Sequence, residues 1–383
     1  MTKVALIRGR YLTKYEMQTY ELLRNKYDIT AFGSLSAYHK SFKFKTRLLA
    51  SPVDLIGLSD KIYFPQRLMH GALNRLFIDS QFLLGLEKNL QGFDIAHTAE
   101  TYFGFTHQAV IAKRKGYIRR LISTVNENIA QNNEGIRGRI KFKHDALEEV
   151  DHFLAVSDMA RDVLIQEGCQ KEKITVIPRG IDTKLFHPPQ KPKSQKDKIR
   201  LLFVGRLEIY KGAYDLIDAF EILIDKYPSL KSKIELILSG EGSEKEKIKK
   251  QIIEKKLAPH ITITNTPYED IPALYQSADI FIAPSQATKY WQEQFGMMLL
   301  EALSSGLPIL TTNTGSIQET VGNAAIFTPQ ANPKHLSDIL YQLFKNPGLR
   351  IILGKKSRQR ALKYFDSRII AEKIDDVYQK ILK

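Results

Sequence analysis

The chain has 383 residues, too many for one ordinary domain, so two are expected. Its composition is 43% hydrophobic and 26% charged with few glycines and prolines, which excludes a disordered or fibrous chain. The single cysteine, Cys169, excludes an intrachain disulfide, and the net charge of +15 asks for an anionic partner: nucleic acid, phosphate or anionic lipid.

In chain order, the short apolar run Lys3–Ile7 predicts a strand, which ends at Gly9 and Arg10 and leads into a helix over Tyr15–Leu23. A second strand is expected at Asp28–Phe32. Strand, glycine turn, helix, strand opens a doubly wound α/β domain, whose ligands sit at the carboxyl ends of the strands. Gly9 and Arg10 are therefore placed beside such a site. Residues 34–92 read as irregular, although Ser41–Leu49 alternates apolar with basic residues and His70–Leu86 has apolar residues at helical spacing. Strands return at Phe93–His97, Leu121–Val125, Phe153–Val156 and Lys173–Ile177, with helices at His107–Lys115 and Asp158–Glu167. Ser157 is placed to cap the second of these.

The segment His187–Lys198 is rich in proline and lysine and carries no apolar side chain, so it reads as a linker. A second alternation follows. Strands are expected at Ile199–Val204, Ile234–Leu238, Ile261–Thr264, Ile280–Ala283 and Pro308–Thr312, and helices at Tyr214–Lys226, Lys245–Leu257, Ile271–Ser277 and Met297–Leu303. Three closing helices are expected around His335–Phe344, Gly348–Tyr364 and Ser367–Leu382. The short run Val4–Ile7 meets Arg8 and Arg10 at once, so no signal peptide is expected there. The longest uncharged run, Ala302–Gln318, is broken by Gly306 and Pro308. No spanning helix is expected, and the chain is read as cytoplasmic.

The charge is uneven. Residues 38–75 carry Lys40, Lys43, Lys45, Arg47, Lys61, Arg67 and Arg75 against two acids. Residues 113–143 carry nine Lys and Arg against two acids, and together the two segments hold +12 of the +15.

The most informative stretch is Glu293–Gly306, EQFGMMLLEALSSG. Met297–Leu303 reads as a buried helix ended by Gly306 and Pro308. Were the whole stretch helical, Glu293 and Glu301 would lie about 12 Å apart along the axis and about 80° apart around it. One ion could not be held by both. An extended ligand could meet one at each end, with a diphosphate at the helix N-terminus. Spacing alone favours the plainer reading, a buried helix with two structurally paired glutamates. Upstream, VGRLEIYKG (204–212) sets Gly205 and Arg206 after a strand and Lys211 before a helix, well placed for a diphosphate. SGEG (239–242) adds a glycine-rich turn at Gly240, and ADIFIAPS (278–285) precedes Trp291.

These segments, with AVSDMARDVLIQEGCQKEKITVIPRGID (155–182), resemble the donor-binding domain of the retaining GT-B glycosyltransferases of the family-4 or "group 1" type. The resemblance covers about 60% of the chain, from about Asp151 to the C-terminus. It implies two Rossmann-like domains facing across a cleft: 1–186 for the acceptor, a linker at 187–198, and 199–366 for the donor. The helix 367–383 would cross back onto the first. The implied donor is a UDP- or GDP-sugar. Arg206 and Lys211 match the pair that neutralises its diphosphate, and Glu301 matches the carboxylate that takes the ribose. Glu293 matches the one beside the sugar, with backbone amides around Phe295, Gly296 and Met297. No Asp-x-Asp occurs, so neither metal nor cofactor is expected, and a front-face substitution with retention is implied.

The first half departs from the family pattern. Arg10 and Tyr11 stand where many members have a glycine pair in the first loop. Asn126 stands where a histidine is frequent, so either Glu127 serves as base or Asn126 only hydrogen-bonds sugar or acceptor. His97 and Glu100 are further polar groups of that wall, and Ser316 replaces a common second glycine. Segments 38–75 and 113–143 suit docking on an anionic membrane, each Lys or Arg contributing up to about 1 kcal/mol, or are solvated faces. The expected function is transfer of a sugar to a glycan or lipid-linked acceptor of the cell envelope, on the inner face of the membrane, with no specific nucleic acid. A soluble disaccharide synthase or phosphorylase, or a basic membrane- or nucleic-acid-binding relative without turnover, are the competing readings.

Overall fold

The computed structural model describes residues 1–58, 66–190 and 198–383. Lys61, Asp60 and the centre of the expected linker, 191–197, lie outside them, as does the Arg67 side chain. The chain divides into two units, Met1–Gly180 with Ser367–Lys383, and Ile181–Asp366.

The first unit carries seven parallel strands: β1 (Thr2–Gly9), β2 (Tyr27–Ser34), β3 (Lys45–Leu49), β4 (Phe93–Ala99), β5 (Ile118–Val125), β6 (His152–Ala155) and β7 (Ile174–Val176). Their order is β3-β2-β1-β4-β5-β6-β7, with Val4 beside Ile95 and Leu6 beside His97. The sheet is read outward in both directions from β1 and β4, so the chain reverses winding there. Helices α1 (Lys14–Tyr20), α2 (Gln66–Phe77), α3 (Leu86–Asn89), α4 (Gly104–Arg114), α5 (Arg139–Glu149) and α6 (Asp158–Gln166) connect them. Ser157 Oγ accepts from the Ala160 N–H and caps α6 as expected. The inner strands β1, β4 and β5 are buried over most of their length, as helices on both faces require.

The C-terminal helix Ser367–Leu382 belongs to this unit. Its Ile370, Ile374, Val377 and Tyr378 pack into the core formed by Val4, Leu6, Tyr20 and Ile95. Tyr378 OH lies 2.7 Å from His97 Nδ1, and Arg120 Nε donates to the Ile381 carbonyl at 2.6 Å.

The second unit has six parallel strands in the order β10-β9-β8-β11-β12-β13. They are β8 (Ile199–Val204), β9 (Ile234–Ser239), β10 (Ile261–Thr264), β11 (Ile280–Ala283), β12 (Ile309–Thr312) and β13 (Ala325–Thr328). Helices α7 (Ala213–Lys226), α8 (Lys245–Glu254), α9 (Ile271–Ser277), α10 (Met297–Ser304), α11 (Ile317–Val321), α12 (Pro333–Lys345) and α13 (Pro347–Arg360) flank the sheet. Here winding reverses between β8 and β11, with Leu201 beside Ile280.

Several elements differ from the sequence reading. The segment 34–92 contains β3, which pairs with β2 as an edge strand, and α2, which stops at Phe77 because Ile78 takes φ +66°. Helix α5 begins inside the segment read as basic surface and runs six residues past it; it buries Phe142 and Ala146 despite its charged residues. Strand β13 and helix α11 are short and carry little periodic signal. The unit boundary falls after Gly180 rather than after residue 186. Residues 181–186 are anchored in the second unit: Ile181 pairs with Asp366, and the buried Phe186 carbonyl accepts from Ser304 Oγ (2.6 Å) and Arg358 Nη1 (2.9 Å). Proline and lysine content marks where the chain is solvated, not where packing changes partner.

Candidate active site

In the second unit the site is built at the winding reversal, where the carboxyl ends of β8 and β11 face loops rich in glycine. Gly205 follows β8, and its N–H donates to the Ser239 carbonyl at 3.0 Å. Gly240, at φ +155°, lies so close that a Cβ there would stand 1.9 Å from the Gly205 carbonyl oxygen. Gly212, at φ +76°, fits only without a side chain, since a Cβ would meet the Pro284 carbonyl at 2.0 Å. The chain thus closes three loops around one point by backbone contact.

Lys211 and Glu293 meet there. Lys211 Nζ lies 2.6 Å from Glu293 Oε2, and both side chains are about nine-tenths buried. Ser285 Oγ donates to the same carboxylate oxygen at 3.3 Å. The ammonium also stands 4.6 Å from the centre of the Trp291 ring, which packs on Tyr210 at 4.2 Å. The Glu293 backbone is fixed as well: its carbonyl accepts from the Ser316 N–H at 2.9 Å, and a Cβ on Gly315 would fall 2.0 Å from it. Arg206 is exposed, with its guanidinium 5.6 Å from the Tyr210 ring centre. The expected pair of phosphate cations is therefore asymmetric. Lys211 is already paired with Glu293, while Arg206 is exposed and makes no ion pair among the described residues.

Phe295 is buried, and its carbonyl accepts from Thr320 Oγ1 at 2.9 Å. Gly296, at φ +80°, caps α10 without a side chain, and the N–H groups of Met297 and Met298 open the helix. Because α10 begins at Met297, Glu293 lies in the loop before it. The axial spacing expected of one continuous helix does not apply. Glu301, in the second turn of α10, turns inward: Tyr275 OH donates to its Oε2 at 2.7 Å, and burial raises its carboxyl to a pKa of about 8. Tyr275, its hydrogen-bond donor, lies on α9.

In the first unit the strand-end residues form a separate network. Glu100, at φ +58°, follows β4 and accepts at Oε1 from the Asn126 N–H (3.0 Å) and Nδ2 (2.7 Å). Burial raises its carboxyl to about 7. Asn126 Oδ1 accepts in turn from Arg179 Nη2 at 2.8 Å. Arg179 pairs with Glu16 (2.8 Å), which also pairs with the buried Arg8 (2.9 Å). The two arginines hold the Glu16 carboxyl below the usual range against its burial. Asn126 is thus clamped at both ends of its amide. Arg179, Glu16 and Arg8 were not singled out in the sequence; Arg179 lies in the matching segment PRGID, which was the available signal.

Glu127 accepts four hydrogen bonds from its own loop: Asn128 N (3.1 Å), Ile129 N (3.0 Å), Asn132 Nδ2 (3.1 Å) and Asn133 Nδ2 (2.8 Å). It organises that loop and has little capacity left to act as a base. His97 is fully buried between Tyr378 OH and Thr124 Oγ1, each at 2.7 Å, and burial holds its pKa well below the ordinary value. It is a neutral core histidine. Gly9 (φ +55°) and Arg10 lie at the end of β1, where the Arg10 N–H donates to Gln81 Oε1 at 3.2 Å. Cys169 is buried and its thiol is pushed up to about 11, which suits a core residue rather than a nucleophile.

The basic segment 113–143 is largely internally paired. Lys113 and Arg120 meet Asp151, Arg114 meets Asp145 and Glu149, Arg119 meets Asp94, and Lys141 meets Asp145. Arg139 is buried on Asp79, and Lys143 on Glu134 and Glu167. Only Lys115 and Arg137 of that run lack such a partner among the described residues. One trio with metal-compatible spacing, His144, Asp145 and Glu148, lies on α5, but Asp145 is already engaged by Arg114 and Lys141. Among the described residues no helix is long and apolar enough to cross a membrane.

Comparison with known proteins follows the two halves. Residues 187–360 match the family model of glycosyl transferases group 1, and residues 23–185 match that of glycosyltransferase family 4. The spore coat protein SA of Bacillus subtilis is 26% identical over 271 residues, covering 62% of this chain and 70% of that protein. A D-inositol 3-phosphate glycosyltransferase of Corynebacterium urealyticum is 28% identical over 229 residues, covering 55% of this chain but only 53% of its own length. In fold, the chain superposes on HepE of Anabaena in complex with UDP with a TM-score of 0.76 at 17% identity, covering 99% of this chain and all of that one. A sucrose-phosphate synthase from Thermosynechococcus elongatus superposes with a TM-score of 0.71 at 18% identity over essentially the full length of both.

Proposed function

The chain belongs to the group 1 glycosyltransferases of GT-B fold, and we propose that it transfers a sugar, with retention of configuration and without a metal, from a UDP- or GDP-sugar to a glycan or lipid-linked acceptor. The observation that carries this reading is the grouping of Arg206, the Lys211–Glu293 pair and the α10 N-terminus at the winding reversal of the second unit. HepE, of the same fold, is known in complex with UDP-glucose.

In this reading the donor diphosphate lies against Arg206, the Lys211 ammonium, and the N–H groups of Met297 and Met298. Negative charge grows on the diphosphate as the bond to the anomeric carbon stretches. Fixed donors at that place lower the barrier without reorganising, and removing one such donor costs on the order of 10²–10³ in rate. Gly205 and Gly240 let the backbone approach the nucleotide, and Glu301 takes the ribose. Glu293, neutralised by Lys211, accepts from the sugar hydroxyls. The acceptor oxygen bonds to the anomeric carbon on the face the diphosphate leaves, and its proton passes to the departing phosphate oxygen. Asn126 cannot take a proton and serves as a fixed hydrogen-bond donor on the acceptor side.

Association with an anionic membrane is part of the proposal, and α2 is the face we propose for it. Leu68 (60% exposed), Ala72 and Leu76 (75%) form an outward stripe at four-residue spacing with exposed Arg75 beside it, while Leu73 and Met69 face Val53 inward. The experiment is transfer followed by proton NMR in excess chelator, with nucleotide release as control. An axial donor should give an axial product at unchanged rate; inversion, or loss of turnover on chelation, overturns the mechanism.

A further inference from the structure

The second unit uses its winding reversal for the donor. The first unit has a reversal of the same kind, between β1 and β4, where sheets of this class bind ligands outside the strand ends. Three aromatic side chains gather there from three neighbouring strand ends. Tyr11 follows β1, Tyr38 follows β2, and Phe103 follows β4. Tyr11 and Phe103 are stacked, with ring centres 5.5 Å apart and planes 20° apart, and Tyr38 stands 6.3 Å from Tyr11.

Burial does not explain this cluster. Tyr11 is 40% exposed and Tyr38 58% exposed, and two exposed rings cost side-chain order without a full hydrophobic return. The rings are nonetheless held. The Tyr38 N–H donates to the Arg10 carbonyl at 3.1 Å, and the next residue, His39, donates from its N–H to the Leu12 carbonyl at 3.0 Å, so the β2 loop is stitched to the β1 loop. A stacked, exposed aromatic face set at a strand-end site presents an apolar, electron-rich plane, which suits the C–H face of a pyranose ring.

Two polar groups border it. The Arg10 guanidinium lies 5.7 Å from the Tyr38 ring centre and makes no ion pair among the described residues. An arginine so placed is a fork for a carboxylate or phosphate. Gln81 is 2% exposed; its Oε1 accepts from the Arg10 N–H at 3.2 Å, while its Nε2 has no acceptor among the described residues. A buried donor left unpaired costs free energy until an acceptor oxygen arrives. Gly9 leaves this amide its room, since a Cβ there would fall 2.7 Å from Gln81 Oε1.

We infer that Tyr11, Tyr38 and Phe103, with Arg10 and Gln81, form the acceptor subsite of this chain, and that it takes a saccharide bearing an anionic group, a phosphate or a carboxylate. The inference rests on the glycosyltransferase reading for the word acceptor, but the site itself stands on the first unit alone. The aromatic face orients the ring, Arg10 selects the charge, and Gln81 receives an acceptor oxygen at the Gly9–Arg10 turn. A neutral sugar would find the face without the fork.

The test is saturation-transfer NMR on the full chain, irradiating aromatic protons, with glucose 6-phosphate, glucuronate and glucose as probes at about 10 mM, ten times a millimolar Kd. Transfer is expected to at least one anionic sugar, and which of the two tells phosphate from carboxylate. Tyr11→Ala should abolish it, and Arg10→Gln should weaken it roughly tenfold, about 1.4 kcal/mol. Gln81→Leu should weaken it as well. Thermal shifts with UDP and GDP are recorded on the same variants and should be unchanged. Absence of transfer to either anionic sugar, or equal transfer to glucose, overturns the inference, as does an Arg10→Gln or Tyr11→Ala protein that binds like the parent. Competition by inorganic phosphate as strong as by the sugar phosphate would overturn the saccharide part. Failure of UDP and GDP to bind any form would sink the donor reading instead, and leaves the saccharide result to be judged by itself.

Discussion

Lys211 and Glu293 form an ion pair at 2.6 Å with both side chains about nine-tenths buried, and this predicts different fates for stability and for activity. Lys211→Ala removes the counter-charge from a carboxylate that is out of water. Breaking one side of a buried pair typically costs about 3–5 kcal/mol, whereas replacing both sides by well-packed neutral groups is often close to neutral. Lys211→Met combined with Glu293→Gln should therefore recover most of the stability lost in Lys211→Ala. It should recover none of the transfer, because the ammonium is also asked to hold the leaving diphosphate, and each such donor is worth on the order of 10²–10³ in rate. Urea unfolding at neutral pH measures the first quantity and kcat/KM the second. A Lys211→Ala protein within about 1 kcal/mol of the parent, the usual range of an exposed pair, would refute the buried-pair argument. A double variant with parental kcat/KM would refute the site.

Four further outcomes follow from the geometry. Glu301 has its folded pKa raised to about 8 by burial, above its unfolded value, so the folded chain binds the extra proton between roughly pH 4.5 and 8. Stability should fall as pH rises through that window, with a slope approaching about 1.4 kcal/mol per unit, and Glu301→Gln should flatten it; an unchanged slope in urea unfolding at pH 5 and 8 contradicts the burial. His97 has its folded pKa depressed, so stability should instead be lost as pH falls below about 6.5, and His97→Phe should remove that loss; a parental acid limb would show that His97 is not buried neutral. Gly212→Ala, with a Cβ 2.0 Å from the Pro284 carbonyl at positive φ, should lose at least about 1–3 kcal/mol and weaken nucleotide binding; unchanged melting would mean that the loop closure described is absent. Leu68→Asp with Leu76→Asp should abolish sedimentation with anionic vesicles at low salt, while wild type binds; equal sedimentation would move the membrane face away from α2.

Much of the second unit was legible because its elements announce themselves locally. The strands after the linker are apolar runs bounded by turns, and VGRLEIYKG and EQFGMMLLEALSSG set glycine, cation and carboxylate at strand and helix ends. What the spacing could not show is that Gly296 at φ +80° breaks the stretch before α10, so Glu293 is carried by a loop and not by the helix. Nor could it show that Lys211 is already paired, since a contact 82 residues away in sequence leaves no local trace. The first unit was less legible for a similar reason. Arg8, Glu16, Arg179, Asn126 and Glu100 form one network, and while Asn126 and Glu100 stood out in the sequence, Arg8, Glu16 and Arg179 by themselves read as ordinary surface charges. The same limit applies to the run 113–143, whose excess of positive charge is mostly answered by acids from elsewhere in the unit. Composition counts charges; only the fold says which of them are spent.

The most direct test of the donor site is calorimetric titration of the full chain with UDP and with GDP in the presence of chelator, repeated on Arg206→Ala. Arg206 is exposed, and its removal should leave the fold intact. One of the two nucleotides should bind the parent without metal, and Arg206→Ala should weaken that binding by roughly 10- to 150-fold, the worth of about 1.5–3 kcal/mol for a charge-assisted bond. Binding that requires a divalent metal, or that is unchanged in Arg206→Ala, would contradict the assignment of the diphosphate to this place.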